Sequence, residues 1–113
     1  MKRDFELVQG YDYQAADKRA LVFTGAGQNW PDLSAATFSL KARASGFTKT
    51  LFTETGTRSV VGGVQYITVP LSAINTNLLP SGANAAEYDL QATISGRRLT
   101  LATGFFSVRE APT

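Results

Sequence analysis

The stretch Glu87–Val108, EYDLQATISGRRLTLATGFFSV, decides the fold. Tyr88, Leu90, Ala92 and Ile94 fall on one side of an extended chain, and Glu87, Asp89, Gln91 and Thr93 on the other. That period of two belongs to a strand with one face toward a core and the other toward water. Ser95, Gly96 and Arg97 then supply a tight turn, and a second extended run follows with Leu99 and Leu101 opposite the first. The stretch is a β-hairpin, the longest strand pair in the chain. Gly104 interrupts its second arm and is expected to mark a bulge, after which Phe106 and Val108 resume the inward phase.

The same period recurs upstream. Phe5 and Leu7 alternate with Asp4 and Glu6, Leu21 shares a face with Phe23, and Phe38, Leu40 and Ala42 alternate with Ser39, Lys41 and Arg43. After Ser45 and Gly46, the run FTKTLFTE carries apolar residues on both sides, so its inward face stays open. TGTRSVVGG followed by VQYITV reads as a second hairpin, with Gly62 and Gly63 supplying the positive φ of a two-residue turn. PLSAINTNLLPSG is the one helical turn: Ser72 caps it, and Leu71, Ile74 and Leu78 lie at helical spacing before Pro80 and Gly82 end it. Its apolar residues are expected to plug one end of the core. The tail EAPT is expected to be loose. Turn signals about every ten residues indicate an all-β fold, an antiparallel β-sandwich of seven or eight strands with one short helical turn. Residues 1–113 are read as a single domain, with no internal repeat or linker.

Composition narrows the function. The chain has 113 residues, 43% apolar and 18% charged, a globular balance. It contains neither cysteine nor histidine, which removes the commonest metal ligands, the usual nucleophilic thiol and the side chain that titrates near neutrality. No enzyme activity, cofactor or metal is expected. The net charge of +2 comes from scattered basic residues with no dense stripe, so no specific nucleic-acid partner is expected. MKRDFELVQG places Asp4 and Glu6 where a secretory signal would be apolar, and no stretch is long and apolar enough to span a bilayer. A chain made and kept in a cytoplasm, without export or a membrane, is the expectation.

Few constellations invite chemistry. Glu87 and Asp89 share a strand face, as a glycosidase pair would, but Gln91 and Thr93 continue that face as an ordinary solvated surface. Asp12 and Asp32 suit turns, and the glycines of TGAGQNW lack the strand-to-helix context and lysine of a phosphate loop. Trp30, before Pro31, serves either as core cover or as a contact surface. Tyr11 and Tyr13 flank Asp12 and are candidates to join Trp30 in an aromatic patch for protein or glycan contact.

The order of motifs resembles a family of small bacteriophage proteins and domains related to the amino-terminal domain of the phage baseplate upper protein. DFELVQGYDY (4–13) resembles that family's opening strand and turn, and PDLSAATFSLKARAS (31–45) its approach to the next core strand. ITVPLSAINTNLL (67–79), followed by residues 87–108 and on to Thr113, resembles its strand, helical turn, YDLQ strand, glycine hairpin and closing strand. The resemblance implies an immunoglobulin-like sandwich without enzyme activity, serving as an attachment or adaptor module of a virion in the tail, baseplate or fibre region. Its partners would be other virion proteins, with many copies per particle binding through sheet edges and the loop around Trp30. Two further expectations are capsid decoration or cementing by the same sandwich, and a carbohydrate-binding module in which Tyr11, Tyr13 and Trp30 stack on glycans.

Overall fold

Strands β6 (Gly82–Ile94) and β7 (Arg97–Arg109) form the hairpin that the alternation requires. Ser95 (φ 48°) and Gly96 (φ 80°) both take positive φ, which matches a two-residue turn to the twist of its flanking strands. Tyr88, Leu90 and Ala92 are buried as expected. The bulge, however, lies at Leu101 and not at Gly104. Gln91 pairs with Thr100 and Leu90 with Ala102, leaving Leu101 as the extra residue, and Leu101 and Ala102 both turn inward. Gly104 sits in regular register opposite Tyr88, and Phe106 and Val108 are buried beyond it.

The computed structural model describes residues 1–111, so Pro112 and Thr113, the end of the expected loose tail and of the family-like stretch, lie outside the described residues. The other strands are β1 (Phe5–Val8), β2 (Leu21–Thr24), β3 (Thr37–Ala44), β4 (Thr50–Val61) and β5 (Val64–Val69). The helical turn α1 is Ala73–Thr76, and a 3₁₀ turn spans Ala15–Asp17. Among the described residues seven strands form one curled sheet in the order β1-β7-β6-β3-β4-β5-β2. Because β4 pairs with β3 up to Gly56 and with β5 from Thr57, it belongs to two layers: β2, β5 and β4 face β4, β3, β6, β7 and β1. This is the immunoglobulin strand order, with the first strand carried to the edge beside the last. Gly56 marks the crossing, where a Cβ would meet Ile67, Phe38 and Val69 at 3.0–3.2 Å. The missing side chain lets the interiors of the two layers converge there.

Two further expectations need correction. The sheet is mixed and not wholly antiparallel, because β1 runs parallel to β7 with Phe5 opposite Phe106 and Leu7 opposite Val108. Parallel pairing needs a long connection, and the whole domain separates these two strands in sequence. The second correction concerns α1. Thr76 is its buried residue, and Leu71 and Leu79 are buried on either side of it, while Ile74 (80% exposed) and Leu78 (50% exposed) face solvent. Polar pins set this rotation. The Ser72 hydroxyl accepts from Asn75 N at 3.2 Å, as capping requires, and the Ala73 amide donates to the Asp12 carboxylate at 2.7 Å. The Thr76 hydroxyl donates inward to the Tyr11 carbonyl at 2.8 Å.

The structure also resolves the face left open in FTKTLFTE. Ala42 pairs with Phe52 and Arg43 with Thr50, so Leu51 is an extra residue that sets Phe52 inward, and Phe47 remains in the turn at 68% exposure. Across the layers, Phe23 of β2 lies 5.5 Å edge-to-face from Phe5 and 5.8 Å from Tyr88, which stacks on Phe106 at 4.8 Å. These rings close the core where the curled sheet brings its free edges, β1 and β2, together.

Candidate functional site

The three aromatic residues singled out from the sequence do not assemble. Tyr13 is buried, its phenol oxygen accepting from Val8 N at 2.7 Å and its backbone paired with Leu71. Tyr11 is partly exposed nearby, its carbonyl tied to Thr76. Trp30 is half-buried at the other end of the domain and packs against the core, its ring so close to Gly25 that a Cβ there would meet Cε3 at 2.7 Å. Gln65 anchors the Trp30 loop by donating to the Pro31 carbonyl at 2.8 Å and accepting from Leu33 N at 2.9 Å. From Gln65, beside Trp30, to Leu71, beside Tyr13, β5 and its extension cover six residues, about 20 Å. No common platform spans that distance.

Glu87 and Asp89 are both held by one guanidinium. Arg43 donates Nη2 to Glu87 at 3.2 Å and Nη1 to Asp89 at 2.9 Å, and Glu87 also accepts from Gly46 N at 2.9 Å. The Asp89 hydrogen bond, outweighing partial burial, raises the Arg43 pKa above its ordinary value. The pair thus fastens β6 to β3 across the outer face of the sheet. Asp32 behaves as a turn residue: hydrogen bonds from Ser34, led by its backbone amide, hold the carboxyl below its usual pKa.

Two surfaces remain that sequence reasoning missed. The first is the end of the domain formed by the β1–β2, β3–β4 and β5–β6 connections. Strand directions place Tyr11, Phe47, Ile74 and Leu78 at this end, all of them exposed. The opposite end has Trp30 tucked in and glycine turns, with Val60 and Val61 exposed beside Gly62 and Gly63. The local signal available was the α1 spacing, but that spacing does not say which side of a one-turn helix faces the core.

The second surface is the outer face of the β2–β5–β4 layer. Cross-strand register gives the rows Val22–Thr68–Thr57, Thr24–Tyr66–Ser59 and Val64–Val61, which contain no charged residue. The outer face of the other layer carries Lys41, Arg43, Glu87 and Asp89. The two outer faces therefore differ in kind, with hydroxyl and apolar side chains on one and ion-paired side chains on the other. Comparison of the chain with known protein families and with curated proteins finds no match.

Proposed function

We propose that this chain is a non-catalytic structural module of a bacteriophage particle, an attachment or adaptor domain of the tail, baseplate or fibre region that joins other virion proteins in multiple copies. The order of the phage-like motifs along residues 4–13, 31–45 and 67–108 motivates the setting. The observation that carries the attachment role is the group of exposed apolar side chains at one end, with Ile74 and Phe47 the most open. Apolar side chains gathered at one end of a small domain suit a partner that removes them from water. Sheet edges contribute less to this reading, because the free backbone of β2 already receives the Arg3 guanidinium at the Val22 carbonyl.

The test is mass spectrometry of gradient-purified particles from an induced host culture. Recovery of this polypeptide in stoichiometric amounts with known particle proteins is the expected result, and its absence from infectious particles overturns the proposal.

A further inference from the structure

We propose that the docking end also selects its partner by charge. A hollow lined by Arg19 and Arg109 takes the carboxylate of an aspartate or glutamate side chain, carried on a partner segment whose neighbouring residues are apolar. This rests on the attachment role proposed above and names its partner's chemistry. Its test uses the purified chain, so either can fail without the other.

The hollow, about 190 Å³, lies where the ends of β1 and β7 meet the segment entering β2, and it is lined by Val8, Tyr11, Arg19, Arg109 and Glu110. Its two cations come from distant parts of the sequence. Val8 is opposite Arg109 on the last rung of the parallel β1–β7 pair, and the Arg109 carbonyl accepts from Gln9 N at 2.9 Å, which fixes where Arg109 leaves the sheet. Arg19 follows the 3₁₀ turn, where its amide donates to the Gln14 carbonyl at 3.1 Å. Its guanidinium lies 5.2 Å from the centre of the buried Tyr13 ring. A cation over an aromatic face is held without using its N–H donors, so Arg19 is positioned and still has donors to give.

The other arginines are engaged or lie elsewhere. Arg3 donates to the Val22 carbonyl, Arg43 to Glu87 and Asp89, and Arg58 to Gln65 and Asp32. Arg97 and Arg98 begin β7 at the other end of the domain. Among the described residues, neither Arg19 nor Arg109 forms an ion pair. Glu110 is the one acid lining the hollow, against two guanidiniums, so positive charge is left over for a ligand.

Guanidinium forks match the two oxygens of a carboxylate. A chain-terminal carboxylate is ordinarily captured by a nest of backbone amides. Here the amides of Val8, Gln9, Tyr11 and Arg19 are each bonded within the chain. The donors that remain are side chains, which suit a carboxylate projecting from the middle of a segment. Apolar neighbours are called for because Tyr11 both lines the hollow and belongs to the exposed apolar group. Its carbonyl accepts from the Thr76 hydroxyl, which joins the hollow to α1, where Ile74 is exposed. Apolar contact beside the carboxylate excludes water and strengthens the charged hydrogen bonds.

Nuclear magnetic resonance titration of the ¹⁵N-labelled chain with the blocked peptide N-acetyl-Leu-Asp-Leu-amide tests the inference. Saturable shifts of the Tyr11, Arg19, Ile74 and Arg109 amides are expected, with a dissociation constant of about 1 mM. Asparagine in place of the peptide's aspartate, and Arg19→Gln or Arg109→Gln in the chain, are each expected to weaken binding about threefold to fivefold, the range of an exposed ion pair. Melting temperatures of both variants are expected to stay at the wild-type value. Raising sodium chloride from about 50 mM to about 500 mM is expected to weaken wild-type binding, and the double variant to lose that dependence. Absence of these shifts up to about 10 mM peptide overturns the proposal. So does equal affinity for the asparagine peptide, unchanged affinity in both variants, or tighter binding of inorganic phosphate or of N-acetyl-Leu-Leu-Leu with its free terminal carboxylate.

Discussion

Gly104 lies directly beneath the backbone carbonyl of Arg3, so close that a Cβ at position 104 would fall inside that oxygen's van der Waals shell. The Tyr88 hydroxyl, from the residue paired with Gly104, donates to the same carbonyl. Around this contact the amino-terminal segment is strapped to β7: Arg3 N donates to the Thr103 carbonyl at 2.9 Å and Thr103 N to the Met1 carbonyl at 3.0 Å. Gly104 therefore serves a close backbone approach, the other common reason for glycine within a strand.

Gly104→Ala is expected to displace the strap and to cost about 2–3 kcal/mol, as overpacking does when the obstructing atom is backbone. Urea denaturation gives the loss. Hydrogen exchange is expected to place the lost protection at the Arg3 and Thr103 amides, with β3–β6 pairing intact.

Burial pushes the Tyr88 phenol well above its ordinary value of 10.0, with the Arg3 charge opposing and Asp4 assisting. The folded state thus keeps Tyr88 neutral where the unfolded chain ionises it. Its contribution is fully present below pH 10 and falls as pH rises from there, by up to about 1.4 kcal/mol per pH unit for one proton. Stability curves between pH 8 and pH 11 are expected to flatten in Tyr88→Phe, which also loses about 1 kcal/mol at neutral pH with its hydrogen bond. An alkaline slope equal to that of the wild type would rule out Tyr88 as its source.

Removing the Arg43 guanidinium leaves Glu87 and Asp89 side by side on β6 without their common partner. The three side chains are about one-quarter exposed, so Arg43→Ala is expected to cost about 1 kcal/mol at low ionic strength and less in 1 M salt. Thermal melts at two salt concentrations measure the difference.

The two sides of the α1 region should respond oppositely to truncation. Leu71→Ala and Leu79→Ala are each expected to cost about 2–4 kcal/mol, because both side chains are fully buried. Ile74→Ser and Leu78→Ser are expected to change stability by less than about 0.5 kcal/mol while reducing incorporation into particles. Quantifying the chain in purified particles, beside melting temperatures of the isolated variants, separates the two effects.

Much of the fold is written in local sequence. The period-two faces of Tyr88, Leu90, Ala92 and of Phe38, Leu40, Ala42, the positive-φ turns at Gly62–Gly63 and Ser95–Gly96, and the Ser72 cap all depend on residues a few positions apart. Even the failure of the aromatic patch was legible. Tyr11 and Tyr13 precede β2 and Trp30 follows it, and the two ends of one strand cannot share a loop cluster.

What only the tertiary structure decided are the relationships between distant segments. The parallel seat of β1 beside β7, the approach of Arg3 to Gly104 and the outward turn of Ile74 depend on partners 21 to 101 residues away, and the bulge at Leu101 on how the hairpin registers against its own first arm. Alternation and turn chemistry specify which side of a strand is apolar, because side-chain direction follows from backbone geometry alone. They do not specify the neighbour across the sheet, which is chosen by packing and hydrogen bonding over the whole domain, and so the fold class lies in the sequence while the contact surfaces arise only when the chain closes on itself.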